Sequence, residues 1–131
     1  MSNNTVILDG KSLTIQDIVN VARKGFKIEL DPEAKRLVSE CAQSVLDWVK
    51  EGRVVYGITT GFGDLASVVI PRDKSRQLQE NLLMSHACGF GEALPEDYER
   101  AVMLLHINTL IKGYSGISLA TLTQLVDYLN L

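Results

Sequence analysis

One stretch of this sequence, residues 31–52, leaves the backbone little local choice. Asp31 suits a helix N-cap and Pro32 the first helical position. Ala34, Leu37, Val38, Cys41, Val45, Leu46 and Val49 then recur at helical spacing, and Gly52 closes the run. A long helix with an apolar stripe needs other elements to cover that stripe, so helix packing organises the fold.

The flanking segments extend a mainly α pattern. Residues 5–8 (TVIL) are short and β-prone, and Asp9-Gly10 is a turn signal. A helix is expected over about 13–24, capped by Ser12 or Thr14, with Ile15, Ile18, Val19 and Ala22 on one face and Gly25 at its end. Residues 26–30 (FKIEL) alternate as a short strand does, and residues 53–56 (RVVY) read as a brief strand entering GITTGFGDL. Further helices are expected from about Asp73 to Cys88, over 95–112 and over 119–130, with the glycine-rich joint KGYSGIS between the last two. No repeat, low-complexity tract or linker interrupts residues 1–131, so a single domain is expected, of about five helices with two or three short strands near its N-terminus.

Composition excludes several classes of function. Apolar residues make up 46% and charged residues 22%, and the net charge of −3 is spread over interleaved acids and bases. Such a surface offers no basic face to nucleic acid or to an anionic membrane. No apolar run approaches the ~20 residues of a membrane span. The opening MSNNTVILDG has neither the basic start nor the apolar stretch of a signal peptide. Cys41 and Cys88 lie in apolar helical contexts without metal spacing, which suggests buried thiols in a reduced, cytoplasmic setting.

Three segments stand out as able to bear chemistry: the Tyr56 loop, the His86 helix and the 113–118 joint. YGITTGFG carries Gly57, Gly61 and Gly63 around Thr60, directly after Tyr56. It is no phosphate cradle, because no Lys-Ser/Thr follows and the spacing misses G-x-G-x-x-G. A tight surface turn is the plain alternative, yet a loop so costly to order is usually kept where a ligand approaches the backbone. In QLQENLLMSHACGFG, Gln77, Asn81 and Ser85 form a polar stripe at i, i+4 and i+8, with His86 beside it and Gly89 placed to end the helix. That stripe is either a solvated face or the seam of a pocket. No second ligand at metal spacing accompanies His86, so no metal site is expected. His106, between Leu105 and Ile107, reads as a structural histidine.

YGITTGFG, QLQENLLMSHACGFGE and INTLIKGYSGIS, in that order, closely resemble the start of the histidine ammonia-lyase family, which includes the phenylalanine and tyrosine ammonia-lyases and aminomutases. The resemblance runs from VILDG to LVDYLN and implies the N-terminal domain of the fumarase/aspartase-like ammonia-lyases. It also implies roles. Tyr56 would remove the β-proton of an amino-acid substrate, although an ordinary phenol, with a pKa of ~10, is a poor base at neutral pH. Gly57, Thr60, Gly61 and Gly63 would let that tyrosine close over the substrate. Ser85, His86 and Asn81 would contact the substrate, and the Ser85-His86 pair matches the lyases acting on histidine.

This sequence also departs from the family pattern. Family members make their electrophile, a methylidene-imidazolone ring, from an Ala-Ser-Gly triplet, and no such triplet occurs here. The cofactor is therefore expected from a segment outside this chain, and the chain alone is expected to be inactive. His106 and Ser118 stand where the family usually carries basic residues. Partners implied by the resemblance are the missing lyase segment or further copies of the chain, with a small amino acid as substrate. The competing reading is a free-standing, non-catalytic module that binds an amino acid or a partner subunit.

Overall fold

A computed structural model describes residues 4–71 and 74–131. The elements are β1 (Thr5–Leu8), α1 (Ile15–Lys24), β2 (Lys27–Leu30), α2 (Pro32–Glu51), a 3-10 turn (Gly63–Leu65), α3 (Ser75–His86), α4 (Glu96–Leu110) and α5 (Leu119–Leu129). The protein is mainly α, as the periodicity implies.

Local sequence explains most boundaries. Thr14 caps α1 in a capping box: its Oγ1 accepts from the Asp17 N–H at 3.2 Å, and the Thr14 N–H donates to Asp17 Oδ2 at 3.0 Å. Gly25, with φ 69°, closes that helix. Asp31 caps α2, its Oδ1 accepting from the Ala34 N–H at 2.9 Å. At the other end of α2, Gly52 has φ 68°, its N–H reaches the Val49 carbonyl at 3.4 Å, and the Arg53 N–H reaches the Trp48 carbonyl at 3.0 Å. This pair of bonds is the Schellman closure.

Two segments differ from expectation. Residues 53–56 form no strand. The Val55 N–H is taken by the Thr59 hydroxyl at 2.8 Å and its carbonyl by the Thr59 N–H at 3.0 Å, which leaves nothing for a ladder. The antiparallel contact in this region is instead an isolated bridge between Thr60 and Val69. Helix α3 ends at His86 rather than Cys88, so Gly89 does not cap it. Ser85 Oγ and His86 Nδ1 both turn back to the Leu82 carbonyl, at 2.8 and 3.1 Å, and give the last turn a side-chain ending. The expected start at Asp73 lies outside the described residues.

The chain separates into two compact units, one formed by residues up to 43 with 93–131, the other by Ser44–Glu92. In the first, β1 and β2 pair in parallel, Thr5 with Lys27 through Leu8 with Leu30, and α1 makes the crossover. Helix α4 packs against α1 and α5, and α5 also packs on β2. Leu8, Val21, Ile28, Val38, Leu104, Ile107, Ile111, Leu122 and Leu129 are among the buried core residues. The free edge of β2 is covered by a side chain: Asn130 accepts from the Ile28 N–H and donates to the Ile28 carbonyl, each at 2.9 Å. His106 is exposed, because the buried face of α4 runs through Leu104 and Ile107. Cys88 is also exposed and Cys41 only partly covered, contrary to the expectation of buried thiols.

Candidate active site

Every candidate site residue lies in the second unit, Ser44–Glu92. Among the described residues of that unit only Thr60 and Gly61 are buried, and no large apolar side chain is. Polar bonds therefore hold the Tyr56 segment in place. The closure of α2 sets its starting point, with the Arg53 guanidinium 5.3 Å from the centre of the Trp48 ring, within cation–π range. Residues 56–59 then form a turn.

Two consecutive threonines bind that turn. Thr59 Oγ1 accepts from the Val55 N–H at 2.8 Å and donates to the Arg53 carbonyl at 2.6 Å. Thr60 Oγ1 accepts from the Gly57 N–H at 3.2 Å and donates to the Gly61 carbonyl at 3.0 Å. The return chain adds two bonds, from the Ile70 N–H to the Thr59 carbonyl at 2.9 Å and from the Gly61 N–H to the Val68 carbonyl at 3.1 Å. Gly57 and Gly63 have positive φ, 71° and 55°. At Gly57 a side chain would also press on Phe62, since a Cβ there would lie 3.0 Å from its Cε1.

Phe62 joins the loop to α3. The Tyr56 ring meets it edge-on, with centroids 6.0 Å apart and planes at 75°. Phe62 also lines, with Leu82, Leu83 and His86, a hollow of about 390 Å³. Two of the three chemistry-bearing segments, the Tyr56 loop and the His86 helix, thus meet through one phenylalanine.

The α3 side chains have defined partners. His86 Nδ1 lies 2.8 Å from Ser85 Oγ and 3.1 Å from the Leu82 carbonyl. With Nδ1 so engaged, Nε2 is the ring nitrogen left for a ligand. Asn81 is not drawn into the hollow; its Oδ1 accepts from Gln77 Nε2 at 2.9 Å along the helix surface. Among the described residues no group of three or more His, Cys, Asp or Glu could hold a metal ion. No helix among them is long and apolar enough to cross a membrane.

Sequence reasoning passed over Phe62 and Thr59. The apolar residue between two glycines of the GFG run was the available signal for Phe62. Nothing in the sequence distinguished Thr59 from an ordinary turn threonine.

Comparison with known proteins identifies the family of the chain. The family model for aromatic amino acid lyase matches residues 13–131, and the chain belongs to that family. Among curated relatives, the histidine ammonia-lyase of Streptococcus gordonii is 52% identical over 127 residues, which are 97% of this chain and 25% of that protein. The chain thus spans about a quarter of the length of the curated relatives it matches, and it corresponds to their N-terminal part. Among solved structures, the histidine ammonia-lyase of Trypanosoma cruzi is 35% identical with a TM-score of 0.85, over 96% of this chain and 24% of that one. Ergothionase of Treponema denticola is 32% identical with a TM-score of 0.90, over 96% and 25%.

Proposed function

We propose that this chain supplies the proton-accepting and side-chain-reading part of an ammonia-lyase acting on histidine. The observation that carries the reading is the shared Phe62, which meets the Tyr56 ring edge-on and lines the hollow together with His86. In the proposed elimination Tyr56 oxygen takes the β-proton. The C–H electron pair becomes the Cα–Cβ double bond, and the amine leaves with the C–N pair. Gly57, Thr60, Gly61 and Gly63 form the loop that brings Tyr56 over the substrate.

His86 reads the substrate side chain. If Nδ1–H donates to the Leu82 carbonyl, Nε2 accepts; if Nδ1 accepts from Ser85, Nε2 donates. An imidazole has both a donor and an acceptor and answers either state, whereas a phenyl ring answers neither. Ser85 orients His86, and Asn81, one turn earlier, continues the polar side of α3. The names of the relatives that act on histidine support the same choice.

The electrophile and the remaining substrate contacts come, on this reading, from lyase sequence outside these residues. Leu83, Met84 and Phe90 are exposed, and such apolar surface suits cover by that sequence or by another copy in a cytoplasmic assembly. The test is ammonia release from histidine, tyrosine and phenylalanine by the chain alone and by the chain mixed with a polypeptide carrying the rest of a lyase. Activity in the mixture only, highest with histidine, is expected. Release by the chain alone would overturn the divided site, and a preference for phenylalanine would overturn the role of His86.

A further inference from the structure

Both chain neighbours of Tyr56 give their backbone N–H to a threonine hydroxyl, Val55 to Thr59 and Gly57 to Thr60. Each hydroxyl donates its own proton onward, to the Arg53 and Gly61 carbonyls. An oxygen that accepts and donates at once is fixed in rotamer, and it fixes the groups it bridges. The backbone on either side of Tyr56 therefore cannot turn without breaking one of these bonds. No buried apolar side chain among the described residues of this unit would take over that task. Thr59 is tied more widely than Thr60, because its carbonyl also accepts from the Ile70 N–H.

We infer that Thr59 and Thr60 are positioning residues whose hydroxyls clasp the backbone on both sides of Tyr56 and so hold its ring against Phe62. The inference deepens the proposed function and, for its catalytic consequence, rests on Tyr56 being the proton acceptor. The clasp itself requires hydroxyls. Valine keeps the branched shape and loses both bonds, whereas serine keeps the bonds and loses only a methyl group. Thr60 is 1% exposed, so removing its hydroxyl also leaves the Gly61 carbonyl and the part-buried Gly57 N–H without this partner. Thr59 is half-buried, which makes Thr59→Val the milder diagnostic variant.

The test is an NMR measurement on the intact chain, comparing Thr59→Val and Thr60→Val with Thr59→Ser and Thr60→Ser. The readout is the nuclear Overhauser contact between the Tyr56 and Phe62 rings, with amide protection of α4 and α5 reporting that the first unit stays folded. The valine variants are expected to lose the ring contact while α4 and α5 stay protected, and the serine variants to keep it. In an active mixture, Thr59→Val is then expected to lower kcat by about 10²-fold with little change in KM. Ring contact retained in both valine variants, or lost equally in the serine variants, would overturn the clasp. The NMR readout needs no activity, so an inactive mixture would count against the role of Tyr56 and leave the clasp standing.

Discussion

Two glycines with nearly the same backbone are required for different reasons. Gly57 and Gly113 have φ 71° and 76°, where an L side chain is strained. At Gly113 an added Cβ would lie 3.1 Å from the Leu37 backbone, which has nowhere to go. At Gly57 it would meet the edge of a phenylalanine ring, which can move. Gly113→Ala is therefore expected to destabilise the fold by about 1–3 kcal/mol or more, measured by urea unfolding. Gly57→Ala is expected to displace Phe62 and weaken its contact with Tyr56, with the cores of α4 and α5 unaffected. Equal unfolding midpoints for the two variants would contradict this division. Asn130 makes a third case. Asn130→Ala leaves both the Ile28 N–H and carbonyl without their partner, a loss of about 1–3 kcal/mol in the same measurement.

At the scale of elements, the turn before α1 and the N-terminal cap of α1 respond to acid. The Asp9 carboxyl is lowered from 3.8 to about 2, chiefly by the backbone N–H groups of Ser12 and Lys11 and by the Ser12 hydroxyl. The Asp17 carboxyl is lowered by the Thr14 side chain and backbone in the capping box. A carboxyl with a depressed folded pKa stabilises the fold above its unfolded value, and that contribution fades as pH falls through the folded value. Stability is thus expected to decline from about pH 4 towards pH 2, with a shallower decline in Asp9→Asn. A decline of the same steepness in that variant would contradict the assignment. Elements whose signals are local were legible in sequence: caps at Thr14 and Asp31, and closing glycines at 25 and 52. Residues 53–56 were not, because two adjacent β-branched valines read as a strand while Thr59, further along, takes the bonds a strand would need. The end of α3 was misplaced for a similar reason: Ser85 and His86 end it before Gly89 is reached. In the site, motif order pointed to Tyr56, Ser85 and His86. The hollow was not legible, because it depends on Phe62 meeting α3 across a loop of undetermined path.

At the scale of the whole molecule, burial and chemistry are separated. The buried apolar residues belong to the first unit, while the Tyr56 loop and α3 belong to the second, where hydrogen bonds rather than burial keep order. Segments with few buried contacts open at low free energy. Amides of 53–70 and 76–86 are expected to exchange with solvent well before those of α4 and α5, and uniform protection across both units would contradict this. The family membership, the Tyr56 contact with Phe62 and the hollow that Phe62 shares with His86 support the proposed reading's central claim, that Tyr56 is the proton acceptor of an ammonia-lyase. The measurement that tests it most directly is the rate of ammonia release from histidine in the active mixture, with wild-type chain and with Tyr56→Phe. Phenylalanine keeps the ring against Phe62 and removes only the reacting oxygen, so a fall in kcat of about 10²–10⁴-fold with histidine binding retained is expected. A mixture in which Tyr56→Phe turns over histidine at the wild-type rate would contradict the claim.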